Sequence, residues 1–146
     1  MPETPADHTD NHVDSLGDRF LVVSRRLRRR YALALEPLGI TPHQARTLRV
    51  VARCGPLRLG ELAAQLHIAP RSVTDVVDAL EDLGYVRRAP DPRDRRATAV
   101  EATTQGRRES EAVEELRRNQ ADQFFARLPE PDRAELARLL DDLTDN

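Results

Sequence analysis

One cysteine, Cys54, stands in a chain of 146 residues, so no internal disulfide framework is available and a reducing compartment is expected. No stretch approaches 18 consecutive apolar residues, which excludes a membrane-spanning helix. Lysine is missing altogether. All 23 basic residues are arginine, a bias that GC-rich coding produces without any functional demand. The N-terminus, Met1-Pro2-Glu3-Thr4-Pro5-Ala6-Asp7-His8, lacks the basic and apolar character of a secretory signal, and a cytoplasmic location is expected. Also missing are a glycine-rich phosphate loop, an HExxH pair, a nucleophile elbow and any inward cluster of acids and histidines. Neither catalysis nor a cofactor is expected.

What is present is charge, unevenly placed. The net charge is −2, yet residues 1–18 carry five acids and no arginine, residues 19–98 sixteen arginines against eight acids, and residues 99–146 seven against twelve. The segments therefore stand at −5, +8 and −5. A basic middle between acidic ends is the footprint of a phosphate-facing module joined to other elements. At 33% charged and 39% hydrophobic residues, the composition suits one helical domain with much exposed surface.

The periodicity predicts a mainly α fold with a small β-hairpin. Residues 1–12, with Pro2 and Pro5, read as a flexible acidic tail. Val13, Leu16, Phe20, Val23, Leu27 and Tyr31 recur at steps of three and four, one face of a long helix that Gly39 ends. Thr41-Pro42-His43-Gln44 supplies an N-cap, a first-turn proline and a capping-box return for a helix that runs through Leu48 and Val51 to Gly55-Pro56. A short helix over 59–66 turns Leu62, Ala63 and Leu66 inward, and His67-Ile68-Ala69 is long enough only for a tight turn. The next helix starts at Pro70, lines up Val73, Val76, Val77, Leu80 and Leu83, and stops at Gly84. Two short helices across such a turn make a helix-turn-helix.

Tyr85-Val86-Arg87-Arg88 then alternates as a strand with residues 97–102 as its partner. Between them, Pro90 and Pro92 predict that residues 89–96 form a long arginine-tipped loop outside the sheet. After Thr103-Thr104-Gln105-Gly106 a second long helix faces Val113, Leu116, Phe124 and Leu128 inward. Past the break at residues 129–132, a last helix aligns Leu136, Leu139, Leu140 and Leu143. The apolar stripes on the first and the last two helices exceed what a small core can cover, which implies a homodimer. Residues 13–40 and 104–146 form the dimerisation region and residues 41–103 the winged helix-turn-helix.

The first turns of a recognition helix meet base edges in the major groove. Here they carry Pro70, Arg71, Ser72 and Thr74. Arg71 suits guanine or a phosphate, Ser72 and Thr74 suit phosphate or base, and the helix start itself favours an anion. Asp75 could accept from cytosine, although an acid near phosphates is costly. On the wing, Arg93, Arg95 and Arg96 can reach a minor groove, whose negative potential attracts arginine, while Asp91 and Asp94 brace them. Double-stranded DNA is the partner this pattern implies.

From about Leu59 to Gly106 the chain resembles the MarR family of regulators. The resemblance is carried by Gly60-Glu61-Leu62-Ala63, Ser72-Val73-Thr74, Val77-Asp78-Ala79-Leu80-Glu81, Leu83-Gly84-Tyr85-Val86-Arg87-Arg88 and Asp91-Pro92-Arg93-Asp94-Arg95-Arg96. It implies a homodimer with interlocked first and last helices, gripping a pseudo-palindrome and mostly acting as a repressor. It also implies an acid at Asp78 paired with a wing arginine at Arg96, and release by a small lipophilic or phenolic effector bound between the dimer helices and the winged motif. Ala102, where the family usually has leucine, is a departure that weakens the anchoring of the second strand.

The remaining signals are bland. Arg25, Arg26, Arg28, Arg29 and Arg30 read as a solvated helix face, Cys54 as small-residue packing, and no histidine outside His8 and His12 shows metal-ligand spacing. The rival to DNA binding is a winged-helix protein-interaction module, which the salt dependence of binding to duplex DNA would separate.

Overall fold

A computed structural model describes residues 15–145. The chain order is α1 (Leu16–Leu35), a 3-10 turn (Glu36–Leu38), α2 (Pro42–Cys54), α3 (Leu59–Leu66), α4 (Pro70–Asp82), β1 (Val86–Asp91), β2 (Asp94–Ala102), α5 (Thr104–Phe125) and α6 (Glu130–Thr144). Val13 lies outside the described residues. Helix α1 starts at Leu16 because Ser15 caps it: its Oγ accepts the Asp18 N–H at 3.1 Å while Asp18 accepts the Ser15 N–H at 3.2 Å. The capping box expected at α2 forms in the same way, Thr41 accepting the Gln44 N–H at 3.2 Å and Gln44 the Thr41 N–H at 3.0 Å. Among the described residues no helix is long and apolar enough to cross a membrane.

The core lies where α2, α3, α4, the hairpin and the middle of α5 converge. Leu35, Leu48, Leu62, Leu66, Val73, Val77, Leu80, Val86, Val100 and Val113 are all buried there. At about 1.5–3 kcal/mol for each large apolar side chain removed from water, this cluster dominates the fold. Leu83, expected inward with the α4 valines, is instead 39% exposed. It follows the last turn as the C-cap, where the chain is already leaving the helix toward Gly84 at φ 79°. His67 takes the left-handed conformation (φ 55°) that turns the chain from α3 toward α4.

The hairpin departs from expectation. β1 runs to Asp91 and β2 begins at Asp94, so the turn shrinks to Pro92 and Arg93 and Pro90 sits inside a strand opposite Thr98. Pairing then jumps from Pro90↔Thr98 to Asp91↔Asp94, which leaves Arg95, Arg96 and Ala97 as a bulge on β2. A two-stranded sheet with an irregularity beside the proline has no need of the missing N–H. Leu57 exchanges two backbone hydrogen bonds with Val100 (3.0 and 2.7 Å), pinning the hairpin to the chain just before α3.

Two helical segments are left uncovered within the chain. The start of α1 exposes Leu16, Phe20, Leu21, Val22 and Val23, with Leu16 85% accessible. Helix α6 has no buried residue, makes no extensive packing contact with another element, and leaves Leu139 and Leu143 open. Lower down, α1 is tied to α5 by Arg30, whose Nε and Nη2 donate to Gln120 and Gln123 at 2.7 and 2.6 Å. Arg25, Arg26, Arg28 and Arg29 are exposed, as expected for a solvated face.

A polar joint connects the winged motif to the long helices. Glu114 on α5 accepts from Arg117 at 2.6 Å and from Arg49 of α2 at 3.2 Å. The Arg117 hydrogen bond chiefly, with smaller help from Arg49, holds the Glu114 carboxyl down at about 2. A carboxyl lowered in the folded state stabilises above its ordinary value near 4.3 and loses that contribution as pH falls through about 2. The stability difference between the protein and its Glu114→Gln variant is therefore expected to shrink steadily from about pH 5 toward pH 2 in a thermal-unfolding series. A difference independent of pH would show that the pair contributes nothing.

Candidate nucleic-acid interface

Helix α4 opens on Pro70, whose fixed φ and missing N–H suit a first helical position, and Ala69 before it offers no side-chain cap. Arg71 and Ser72 are exposed on the first turn. Thr74 turns its hydroxyl back to the Pro70 carbonyl at 3.4 Å, so it is partly engaged by its own helix. Asp75 is exposed on the flank of α4 that faces the start of α2, sharing a shallow crevice with Thr41, His43, Gln44 and Ser72. Behind this surface Val73, Val76, Val77 and Leu80 anchor α4 in the core.

On the wing, Arg95 and Arg96 project from the bulge on β2. Arg96 is 93% exposed and, among the described residues, held only by Asp94, two residues away, through its N–H (3.1 Å), Nε (3.1 Å) and Nη2 (3.4 Å). That interaction lowers the Asp94 carboxyl below its usual range. Arg95 is exposed and has no acid partner among the described residues. Arg93, in the turn itself, points the other way. Its guanidinium reaches Asp91 and Glu61, and the Asp91 carboxylate, with no exposed side-chain surface, also accepts from Arg58.

Of the acids expected to brace the wing, Asp94 accepts from Arg96 and Asp91 from Arg93. The third corrects an expectation. Asp78 does not meet Arg96; it accepts from Arg88 Nη2 at 2.6 Å, and Glu81 accepts from the same arginine at 2.9 Å. Arg88 lies near the base of β1, beside the outer half of α4, whereas the bulge carries Arg96 into solvent and hands it to its near neighbour Asp94. Asp78 thus steadies the wing at its root. Its hydrogen bond is the largest influence raising the Arg88 guanidinium above its ordinary value.

Glu61, Arg58, Glu81 and Arg88 are participants that sequence reasoning passed over. The signal for Glu61 was present, an acid in the first turn of α3 three residues after Arg58. Cys54 also corrects an expectation: it is exposed at the end of α2, not packed as a small residue. His8 and His12 lie outside the described residues.

Between α2 and α5 runs a crevice of about 500 Å³ lined by Arg49, Arg53, Ser110, Glu111, Glu114, Arg117 and Arg118. Four guanidiniums against two carboxylates give it a positive balance, and Arg53 and Arg118 have no ion-pair partner among the described residues.

Comparison with known proteins gives a consistent result. The family model described as MarR family matches residues 40–98. The HTH-type transcriptional repressor Rv2887 of Mycobacterium tuberculosis is 31% identical over 117 residues, covering 80% of this chain and 84% of the relative. The crystal structure of the MarR family protein Rv2887 in complex with DNA matches at TM-score 0.76 and 29% identity, over 89% of this chain and 98% of that one. The same protein's complex with p-aminosalicylic acid matches at TM-score 0.72 and 29% identity, over 90% of this chain and all of that one (100%).

Proposed function

The chain belongs to the MarR family of helix-turn-helix transcriptional regulators, and from that premise we propose that it is a repressor gripping a pseudo-palindromic operator as a homodimer. Residues 41–103 form the DNA-binding unit, while residues 13–40 and 104–146 join the protomers. Pro70, Arg71, Ser72 and Thr74 enter the major groove at the start of α4, and Arg95 and Arg96 approach the minor groove from the wing, with Arg93 beside them in the turn. The observation that carries this reading is electrostatic. At both places a guanidinium stands in solvent with no acid from another element upon it among the described residues. The relative's complex with DNA supports duplex DNA as the partner, and the absence of catalytic motifs in the sequence supports a regulator that is not an enzyme.

The α2–α5 crevice supports release by a small effector, and its arginine lining favours a ligand carrying a carboxylate over a neutral lipophilic one. The relative's p-aminosalicylic acid complex agrees with that class.

The test is fluorescence anisotropy with a duplex selected from random-sequence DNA. Arg71→Ala and Arg96→Ala are each expected to weaken binding by about tenfold while the dimer stays intact, and binding should fall steeply with salt. Binding by both variants as tight as that of the unaltered protein removes the groove assignment. In a second arm, p-aminosalicylate should release the duplex, and Arg117→Ala should blunt that release; equal release by both proteins would locate the ligand elsewhere.

A further inference from the structure

Four charged residues between the turn of the wing and the start of α3 close into a ring. The backbone N–H of Arg58 donates to Glu61 Oε2 at 2.8 Å, and Arg93 Nη2 donates to that same oxygen at 2.8 Å. Arg93 also gives its N–H and Nε to Asp91 Oδ1 at 2.9 and 3.2 Å, and its Nη2 to Oδ2 at 3.1 Å. Arg58 Nε completes the circuit on Asp91 Oδ2 at 2.6 Å. The path thus leaves Arg58 through its backbone and returns through its side chain. It joins the turn of the hairpin to the first turn of α3.

Each member is committed. Glu61 stands where a helix start has open N–H groups and a favourable dipole, so one oxygen serves both the α3 terminus and the wing. Asp91 has no exposed side-chain surface and accepts four hydrogen bonds, which removing Arg93 would leave largely unmade. Arg93 gives Nε and Nη2 to two carboxylates, which fixes the direction of its guanidinium and leaves Nη1 as its remaining donor. Its hydrogen bond, ahead of that from the Arg58 amide, holds the Glu61 carboxyl at about 2, so the ring stays charged far into acid. Neighbouring Arg95 and Arg96 carry no such tether to another element.

On the DNA-binding reading above, we propose that Glu61 is a positioning residue for operator binding. With Asp91 it withdraws Arg93 from the groove and uses it to lock the wing against α3. Arg95 and Arg96 then meet the duplex from a fixed angle. The role assigned to Arg93 is structural, and the contact role falls to the bulge beyond it.

Glu61→Gln tests this, since glutamine keeps an oxygen for the Arg58 N–H but loses the charge that holds Arg93. With the selected duplex, E61Q is expected to bind about tenfold more weakly than the unaltered protein. In the E61Q background, Arg96→Ala should then cost less than half the fold-loss it causes alone, because a loosened wing no longer presents that arginine. Without DNA, amide hydrogen exchange over residues 92–97 should quicken several-fold in E61Q while α2 and α5 stay protected. Arg93→Ala, which leaves Glu61 to its helix, should reproduce all three effects if E61Q folds poorly. Tighter binding by E61Q would mean that freed Arg93 itself contacts DNA, and strictly multiplicative losses would mean that Glu61 and Arg96 act independently; either overturns the proposal. Unchanged wing exchange removes the lock. Failure of the unaltered protein to bind any duplex in dilute salt would instead remove the DNA-binding reading, and the operator role of Glu61 with it, while the exchange experiment still reports on the ring.

Discussion

Alanine at Gly106 is expected to cost about 3 kcal/mol and to lower Tm by roughly 10 °C. A Cβ at this position would lie 1.8 Å from the Tyr85 carbonyl oxygen and 2.7 Å from its carbon. Those neighbours are backbone, so no side-chain rotation can make room. Tyr85 O is moreover fixed by accepting the Thr103 N–H at 3.0 Å. The Thr103 hydroxyl clamps the same seam from the other side, donating to Gly84 O at 2.6 Å and accepting the Gly106 N–H at 3.0 Å. Relief therefore requires the start of α5 to move away from the α4–β1 corner as a unit, which opens the junction between the winged motif and the long helix. Thermal unfolding followed by circular dichroism measures the effect. A Tm within about 2 °C of the unaltered protein would show that the seam yields easily.

The combined Phe20→Glu and Leu139→Glu variant is expected to be a folded monomer that binds the selected duplex at least a hundredfold more weakly. Phe20 and Leu139 are both exposed on elements that bury little else within the chain: the start of α1 and the whole of α6. In the proposed homodimer, apolar area of this extent on α1 and α6 would be covered by an isologous second copy. Placing carboxylates on both helices sets unpaired charges into the joint and forces them apart. Each winged motif keeps its own core, so the circular dichroism spectrum should change little. What is lost is the linkage of two half-sites, and with it the gain from simultaneous engagement. Light scattering gives the mass directly. A variant that retained the dimer mass would move the subunit contact to another face.

Much of this arrangement was legible in the residues because it is written in short-range chemistry. Thr41 and Gln44 announce the start of α2, Gly84 the end of α4, and Leu62, Ala63, Leu66, Val73, Val76, Val77 and Leu80 face the core at the positions their spacing demands. The wing was legible as a hairpin but not in its length. Proline argues against a strand interior, and only the register shows that Pro90 stands beside a bulge where no ladder N–H is required. Arginine partners were the least legible. Residues 87–96 contain five arginines, and which acid each one meets depends on where a strand tilts and where it bulges. Asp78 found Arg88 at the root of the wing, and Arg93 turned back to an acid on α3, 32 positions earlier. Periodicity carries no information about contacts of that kind.

Helix α6 has no fully buried residue in its own chain. Were the proposed second subunit to cover it, that segment would be guarded against proteolysis only in the dimer, and the lifetime of the protein would be tied to its own abundance. Scarce chains, dissociated, offer their C-terminal helix to degradation; plentiful ones shield each other. If the proposed repressor is built this way, it would clear its last copies faster than its first, and the genes it holds down would come back on more abruptly than dilution alone allows.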